Sequence, residues 1–470
     1  MTRTAAECVV EFLSFSGDSH KSASEFETFS RREWERASSW LDVAGLAFYF
    51  LQKLKTTNSV GHVPSWILSR LEQNFEANRQ RVDYMSRRFA VLNRKFSDAG
   101  VRYLVLKGHS LVPQFCPDTL LRYQGDFDYL VDDQSLAAAQ QVLLEAGYRS
   151  KHSPSSQEFV FVLQEMGDPS RRADEYYART PHGVELHLDI WDSDLDGVPQ
   201  IPKLFSVERA IVRHSNGFAF PALADEDAFL LQVLHTCHHL FSQWVRMSCL
   251  LEIGYFLHHR ASDVELWNRI ERRVSDNWVL REFVVVVTEL VAKLFAAPVP
   301  ELVRDWGSAI RPGTRVWIEN YARYWALGEM PIHQFSLFPR AKLVRFLHQQ
   351  YRTDAGVPMS PARDRVLPPS RLSRIASSIR NKPLIVLDPA WWRRHLLIQR
   401  CLFHVLANLR YLLEMPRWLW LNQGPVYSST PERESGDRRL AIIPDGKTGG
   451  SDLELNRGGV DRRVLVQRDS

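Results

Sequence analysis

Two aspartates one residue apart, Asp126 and Asp128 in "RYQGDFDYLV", stand inside an apolar run. A carboxylate taken out of water without a partner is costly, so a buried strand that carries two of them needs a cation to meet them. In an extended strand alternate side chains share a face, so Asp126 and Asp128 point one way while Phe127 and Tyr129 point the other. Two carboxylates on one face suit Mg²⁺ or Mn²⁺, hard cations that take oxygen ligands and keep positions for water and substrate phosphates. Paired metals ~3.5–4 Å apart stabilise both the attacking and the leaving oxygen of an in-line displacement at phosphorus. The chemistry this spacing serves is phosphoryl or nucleotidyl transfer. The bland alternative is an exposed edge strand with two solvated acids, and so short a motif needs support from its surroundings.

Three surroundings supply it. Lys107-Gly108 ends the apolar stretch "RYLVL" just before an expected helical turn, where glycine admits a phosphate, backbone N–H groups meet it and lysine adds charge. Arg122 precedes the aspartates and can fork onto phosphate oxygens. In "GVELHLDIW" a strand puts Glu185, His187 and Asp189 on one face and Val184, Leu186 and Leu188 on the other, which offers a third acid. His187 fits two roles, proton transfer or orientation of a carboxylate on one side, a salt-bridged structural residue on the other. His235 and His239 have the i, i+4 spacing that can hold zinc, but without the glutamate of an H-E-x-x-H setting they read as packing or substrate contacts. Arg246 is an accessory phosphate candidate; six residues from Glu252, it does not share a helix face with it as an i, i+4 pair.

The elements that must position these residues follow from hydrophobic period. Up to residue 97 apolar residues recur at three- and four-residue spacing, with Pro64 placed to open a helix and Gly100 to close it. Residues 98–222 interleave strands ("VRYLVL", "DFDYLV", "FVFVLQ", "GVELHLDIW") with a helix over "QSLAAAQQVLLEAGY", which describes an α/β domain. Residues 223–351 read as a helical domain. A Pro- and Arg-containing connector and a basic amphipathic helix fill 352–424, the helix expected to dock on the core rather than on a membrane surface. From 425 to 470 periodicity vanishes and a flexible tail is expected. "AIIPDGKT" at 441–448 matches a relaxed phosphate loop, yet the helix and parallel sheet such a loop needs do not follow it, so the match reads as chance.

With 470 residues, 45% hydrophobic and 24% charged, the chain is long enough for more than one compact unit and is not a disordered composition. A formal charge of +4 is small for this size and leaves anionic small molecules as ligands without arguing for nucleic acid. The five cysteines are too scattered for a zinc ribbon or redox pair and read as reduced thiols. "MTRTAAECVVEFLSFSG" lacks the apolar core of a secretory leader, and no stretch reaches ~18 apolar residues, so a cytoplasmic location is expected.

The run "VLKG", Arg122 with "DFDYLV", "EAGY" and "VELHLDIW" resembles the uncharacterised bacterial nucleotidyltransferase family with its L-K-G, R-x-x-x-D-x-D, G-[YF] and D-L-H-W pattern, a distant branch of the DNA polymerase beta-like nucleotidyltransferase superfamily. The resemblance reaches from about Asn78, in an upstream Asn-Arg helix, to Leu257, past a helix with His, Arg and an acidic residue. It implies an α/β (α+β) mixed sheet core flanked by N-terminal and C-terminal helical regions. It makes Asp126 and Asp128 the metal pair and Glu185 the third carboxylate, with Asp189 as a substitute, and puts Lys107 and Gly108 where better-known members have Gly-Ser. The sequence departs from the pattern at Glu185 and Glu252, where aspartate is usual, and at Leu188, where tryptophan is usual. The implied reaction moves a nucleoside monophosphate from an NTP to an acceptor (small molecule, saccharide or protein), held by Mg²⁺ (or Mn²⁺), and releases pyrophosphate. The departures favour a rival, a non-catalytic nucleotide-binding or scaffold protein that keeps the fold. Action on RNA is not expected, since no basic and aromatic stripe accompanies the site.

Overall fold

The computed structural model describes residues 3–16, 19–151, 157–163, 176, 182–191, 201–215, 217–242, 246–327 and 416. The expected tail, the phosphate-loop lookalike and, apart from Pro416, the connector with its basic helix lie outside the described residues. The chain divides into a unit Met1–Val426 and a unit Tyr427–Ser470, and the description below concerns the first.

Five helices come first: α1 (Ala5–Phe12), α2 (Ser19–Ser24), α3 (Arg31–Ala44), α4 (Ala47–Thr56) and the long α5 (Ser65–Asp98). Capping boxes open α1 and α3, Thr4 exchanging hydrogen bonds with Glu7 and Ser30 with Glu33, so two N–H groups at the start of each helix are satisfied by sequence-local partners. Pro64 caps α5 and Gly100 follows it with φ +66°, as the sequence reading expects.

The sheet has seven strands: β1 (Tyr103–Val105), β2 (Asp126–Val131), β3 (Arg149–Lys151), β4 (Glu158–Leu163), β5 (His182–His187), β6 (Ile211–Ser215) and β7 (Phe218–Ala222), in the order β3-β4-β5-β2-β1-β7-β6. Helix α6 (Asp133–Glu145) joins β2 to β3, its first turn capped by the Asp132 carboxylate on the Ser135 amide. β2 runs parallel to β5 and antiparallel to β1, so the sheet is mixed. The expected mixed α/β architecture with flanking helices is thus what the chain adopts. The strands read from the sequence within residues 98–222 do not include the β6–β7 hairpin, two five-residue strands of which the second carries Pro221.

Helices close the described fold: α7 (Asp225–Ser242), α8 (Met247–Arg260), α9 (Val264–Val274), α10 (Trp278–Phe295), α11 (Glu301–Ser308), α12 (Pro312–Trp317), a π-helical turn Ile318–Ala322, and α13 (Arg323–Ala326). The alternation of the strands sorts their side chains between two cores. Phe127, Tyr129, Val131, Val184 and Leu186 pack against Phe89 and Phe96 of α5 and Leu143 of α6. Leu104, Leu106 and Leu130 point the other way, into an apolar core that also holds Phe50 of α4, Phe229 of α7 and Val284 of α10. None of the helices among the described residues is long and apolar enough to cross a membrane.

Candidate active site

The parallel pairing of β2 with β5 sets Asp128 directly across from Glu185 and Asp126 across from Gly183. Because side chains alternate, Asp126, Asp128, Glu185 and His187 emerge on the sheet face that looks toward α7 and α8, opposite the Phe127 and Tyr129 core. Asp128 is 4% exposed, whereas Asp126, at the strand's first position, is exposed although protein surrounds it, as befits a group lining a cleft. Gly183 contributes no side chain beside it; a Cβ there would stand 3.6 Å from the Asp126 Cβ.

Lys107 follows β1 and places its Nζ 2.9 Å from Asp128 Oδ1. His187 Nε2 lies 3.5 Å from the same oxygen and 3.7 Å from Glu185 Oε2. Three carboxylates therefore gather around a single ammonium, and their titration records the imbalance. Burial and the charges of Asp128 and Asp126 push the Glu185 carboxyl up to about 9. Burial and Asp128 likewise raise Asp126, less decisively since it is exposed. Burial would raise Asp128 too, but Lys107 and His187 hold it well below the usual carboxylate range, and burial of Lys107 is outweighed by Asp128, Glu185 and Asp126, which raise the ammonium.

This donor set fits a divalent cation. Asp128, Glu185 and His187 offer ligand atoms that all lie within 4.8 Å of one another, and Asp126 adds a carboxylate on the same face. A doubly charged ion would neutralise what one ammonium leaves uncompensated. The oxygen ligands suit Mg²⁺ and Mn²⁺.

Arg122 is held at both ends. Asn78 of α5 donates from Nδ2 to the carbonyls of Leu120 (2.9 Å) and Arg122 (3.4 Å), and Arg122 Nε donates to Glu252 Oε1 at 2.9 Å. Its two Nη nitrogens have no partner among the described residues and are not sealed from solvent. The charges of Arg122 and of Arg246, the latter at the N-cap of α8, both oppose the rise of the Asp126 carboxyl. Arg246 also stacks over Tyr123 at 5.7 Å, with Arg81 over that ring at 4.9 Å.

Two expectations change in detail. β5 ends at His187, so Asp189 leaves the strand face and its Oδ1 accepts from the amides of Ile190 and Trp191. Gly108 opens a 3₁₀ turn of four residues, and its positive φ of +65° leaves space filled by Gln124: a Cβ would meet the Gln124 Nε2 at 2.3 Å. Glycine is thus required there by a neighbouring amide as well as by backbone geometry. His235 and His239 bring their Nε2 atoms to 3.1 Å, so each spends a nitrogen on the other; burial and the charge of Lys107 both hold His235 below its ordinary range, which puts this pair near the lysine.

Sequence reasoning missed Tyr49, Gly183 and the partnership of Arg122 with Glu252. A lone acid in the apolar helix "MSCLLEIGYFL" was a readable signal for Glu252, which is fully buried; Tyr49 and Gly183 carried none.

No curated protein sequence matches the chain. The solved structure of an antigenic nucleotidyltransferase-like protein from Paracoccidioides brasiliensis is similar over 46% of this chain and 94% of its own at 14% identity, with a TM-score of 0.26, too loose a superposition to bear on the residues of the site. The family model described as "Uncharacterised nucleotidyltransferase" matches residues 30–296, more than half of the chain and every residue of the cleft, and the chain belongs to that family.

Proposed function

We propose that this chain is a Mg²⁺- or Mn²⁺-dependent nucleotidyltransferase that moves a nucleoside monophosphate from an NTP to an acceptor hydroxyl or other nucleophile and releases pyrophosphate. The observation that carries the proposal is the juxtaposition of Asp128 with Glu185 across β2 and β5, with Asp126 on the same face and Lys107 on Asp128. Asp126, Asp128 and Glu185 would hold the cation, with His187 close enough to serve as a further ligand or to orient the carboxylates. When bound, the cation supplies charge neutralisation at the phosphorus under attack and at its leaving oxygen.

The remaining work falls to the chain itself. Arg122 offers two Nη nitrogens as a fork for phosphate oxygens, a geometry that guanidinium provides and ammonium does not. Lys107 and Arg246 add positive charge near Asp126. Placing these groups before the substrate arrives is the main source of catalysis in phosphoryl transfer. Gly183, opposite Asp126, brings no side chain to the position beside the aspartate, where the α-phosphate would lie. His187 is the imidazole nearest the carboxylates and the candidate to relay the acceptor's proton.

The non-catalytic reading draws support from Lys107, whose ammonium already satisfies part of Asp128. Purified protein incubated with Mg²⁺, each α-labelled NTP in turn and cell extract, beside the double variant Asp126→Asn, Asp128→Asn, separates the two. Label transfer by the wild type alone, with a loss of about a thousandfold in the variant, is expected. Nucleotide binding without transfer, equal in wild type and variant, would favour the scaffold.

A further inference from the structure

Glu252 is a buried carboxylate with an unexplained place in the fold. It is 0% exposed on α8, and only its Oε1 is engaged, by Arg122 Nε at 2.9 Å and by the Tyr49 hydroxyl, which donates at 3.2 Å. Its Oε2 is buried with no hydrogen-bond partner among the described residues. Such an acid is a poor stabilising device, because desolvation of both members of a buried pair offsets most of their attraction and an apolar side chain of similar volume packs as well or better. What the acid does achieve is geometric. It takes the Nε of Arg122 and leaves both Nη nitrogens for something else, on a side chain that retains 19% of its surface. A carboxylate that paired with the guanidinium through both of its oxygens would have used an Nη as well.

Tyr49 completes the hold. It lies on α4, 203 residues from Glu252 in sequence, and is 1% exposed. Burial, then the neighbouring Cys116 and Glu252, keep its hydroxyl well above its ordinary pKa, so it remains a donor. Its one proton is shared between Glu252 and Cys116 Sγ, which lies 3.0 Å away, and the Cys116 thiol donates to the Asp118 carbonyl in the loop that leads to Arg122. The backbone of that loop is fixed independently by Asn78.

We propose that Tyr49 and Glu252 are positioning residues that present Arg122 as an open guanidinium fork for the β- and γ-phosphates of the substrate, the part that leaves as pyrophosphate. This rests on the nucleotidyltransferase reading and names the residues that set its triphosphate subsite. Neither residue touches the substrate. Their contribution passes entirely through Arg122.

The test is calorimetric binding of inorganic tripolyphosphate and of each of the four NTPs, with Mg²⁺, to the full chain. Wild type is compared with Tyr49→Phe, Glu252→Gln and Arg122→Ala, and with each of the first two combined with Arg122→Ala. Thermal melting confirms that every variant folds. Tyr49→Phe removes one oxygen from a packed ring and serves if Glu252→Gln does not fold. The expected result is that affinity for tripolyphosphate falls about tenfold in Glu252→Gln, the low end of the range seen when an outer partner of a binding residue is removed, and about threefold in Tyr49→Phe, the size of one modest hydrogen bond. In the Arg122→Ala background neither change lowers affinity further, a non-additivity that a merely structural role does not produce. Wild-type binding that persists unchanged in Tyr49→Phe and Glu252→Gln, or losses that add to that of Arg122→Ala, would overturn the proposal and leave the transferase reading standing. Failure of the wild type to bind any of the five probes would remove both.

Discussion

The two faces of β2 and β5 differ by one residue of register and by everything else. On one face Phe127, Tyr129, Val184 and Leu186 are at most 2% exposed and meet the aromatic rings of α5. On the other, Asp126, Asp128, Glu185 and His187 face Lys107 and the cleft below α7 and α8. The same backbone serves both because a strand's period is two, so a sequence that alternates apolar and acidic residues builds a core and a charged site at once. The apolar face gains from being sealed. The acidic face is destabilised by being sealed, and a cation would relieve it. Stability and chemistry should therefore separate cleanly by face, and substitutions can break or sharpen that separation.

The largest effects set one face against the other. Asp126→Asn with Asp128→Asn removes two like charges beside Glu185 but also the partner of the Lys107 ammonium, so we expect transfer to fall about a thousandfold while the midpoint of urea unfolding moves less than in a core variant. Phe127→Ala, on the strand residue between them, opens a hole under Phe89 and should lower unfolding free energy by about 3–5 kcal/mol. An acid variant that unfolds as readily as Phe127→Ala would end the separation.

The next effect is a pH dependence with a defined sign. Glu185 binds its proton more tightly when folded, with its carboxyl raised from near 4.5 to about 9, so between these values the native state holds more protons than the unfolded chain. Stability of the metal-free protein should then fall as pH rises from about 5 to 9, and Glu185→Gln should flatten that fall. The melting midpoint followed against pH in EDTA measures it, and Mg²⁺ or Mn²⁺ should restore stability most at the alkaline end. Identical curves for wild type and Glu185→Gln would show that the acids on this face are not crowded.

The smallest effect concerns space alone. Gly183→Ala adds a methyl at ordinary contact distance from Asp126, so unfolding should shift by less than about 1 kcal/mol while transfer falls several-fold through crowding of the position beside the aspartate. Unchanged transfer would mean that the substrate does not use that position.

How much of this was legible in the sequence varies by element. α5 was bounded correctly by Pro64 and Gly100, since caps are local signals. The β6–β7 hairpin was not, since five-residue strands carry too few residues for a period to declare itself. Asp126 and Asp128 announced themselves by sitting where apolar residues belong. Alternation through "HLDI" carries Asp189 onto the strand, yet pairing with β2 stops at His187 and the acid turns to local amides.

Strand alternation and composition write the acidic face into the sequence, and caps write the ends of the helices there; both are properties of residues a few positions apart. Which strand lies beside β2, and at what register, is a matter of long-range packing, and that packing sets Glu185 opposite Asp128 and Gly183 opposite Asp126. It alone brought Tyr49 and Glu252 together around Arg122. Such contacts join positions separated by scores of residues, and their energy comes from packing and desolvation across elements, which no local period or motif encodes.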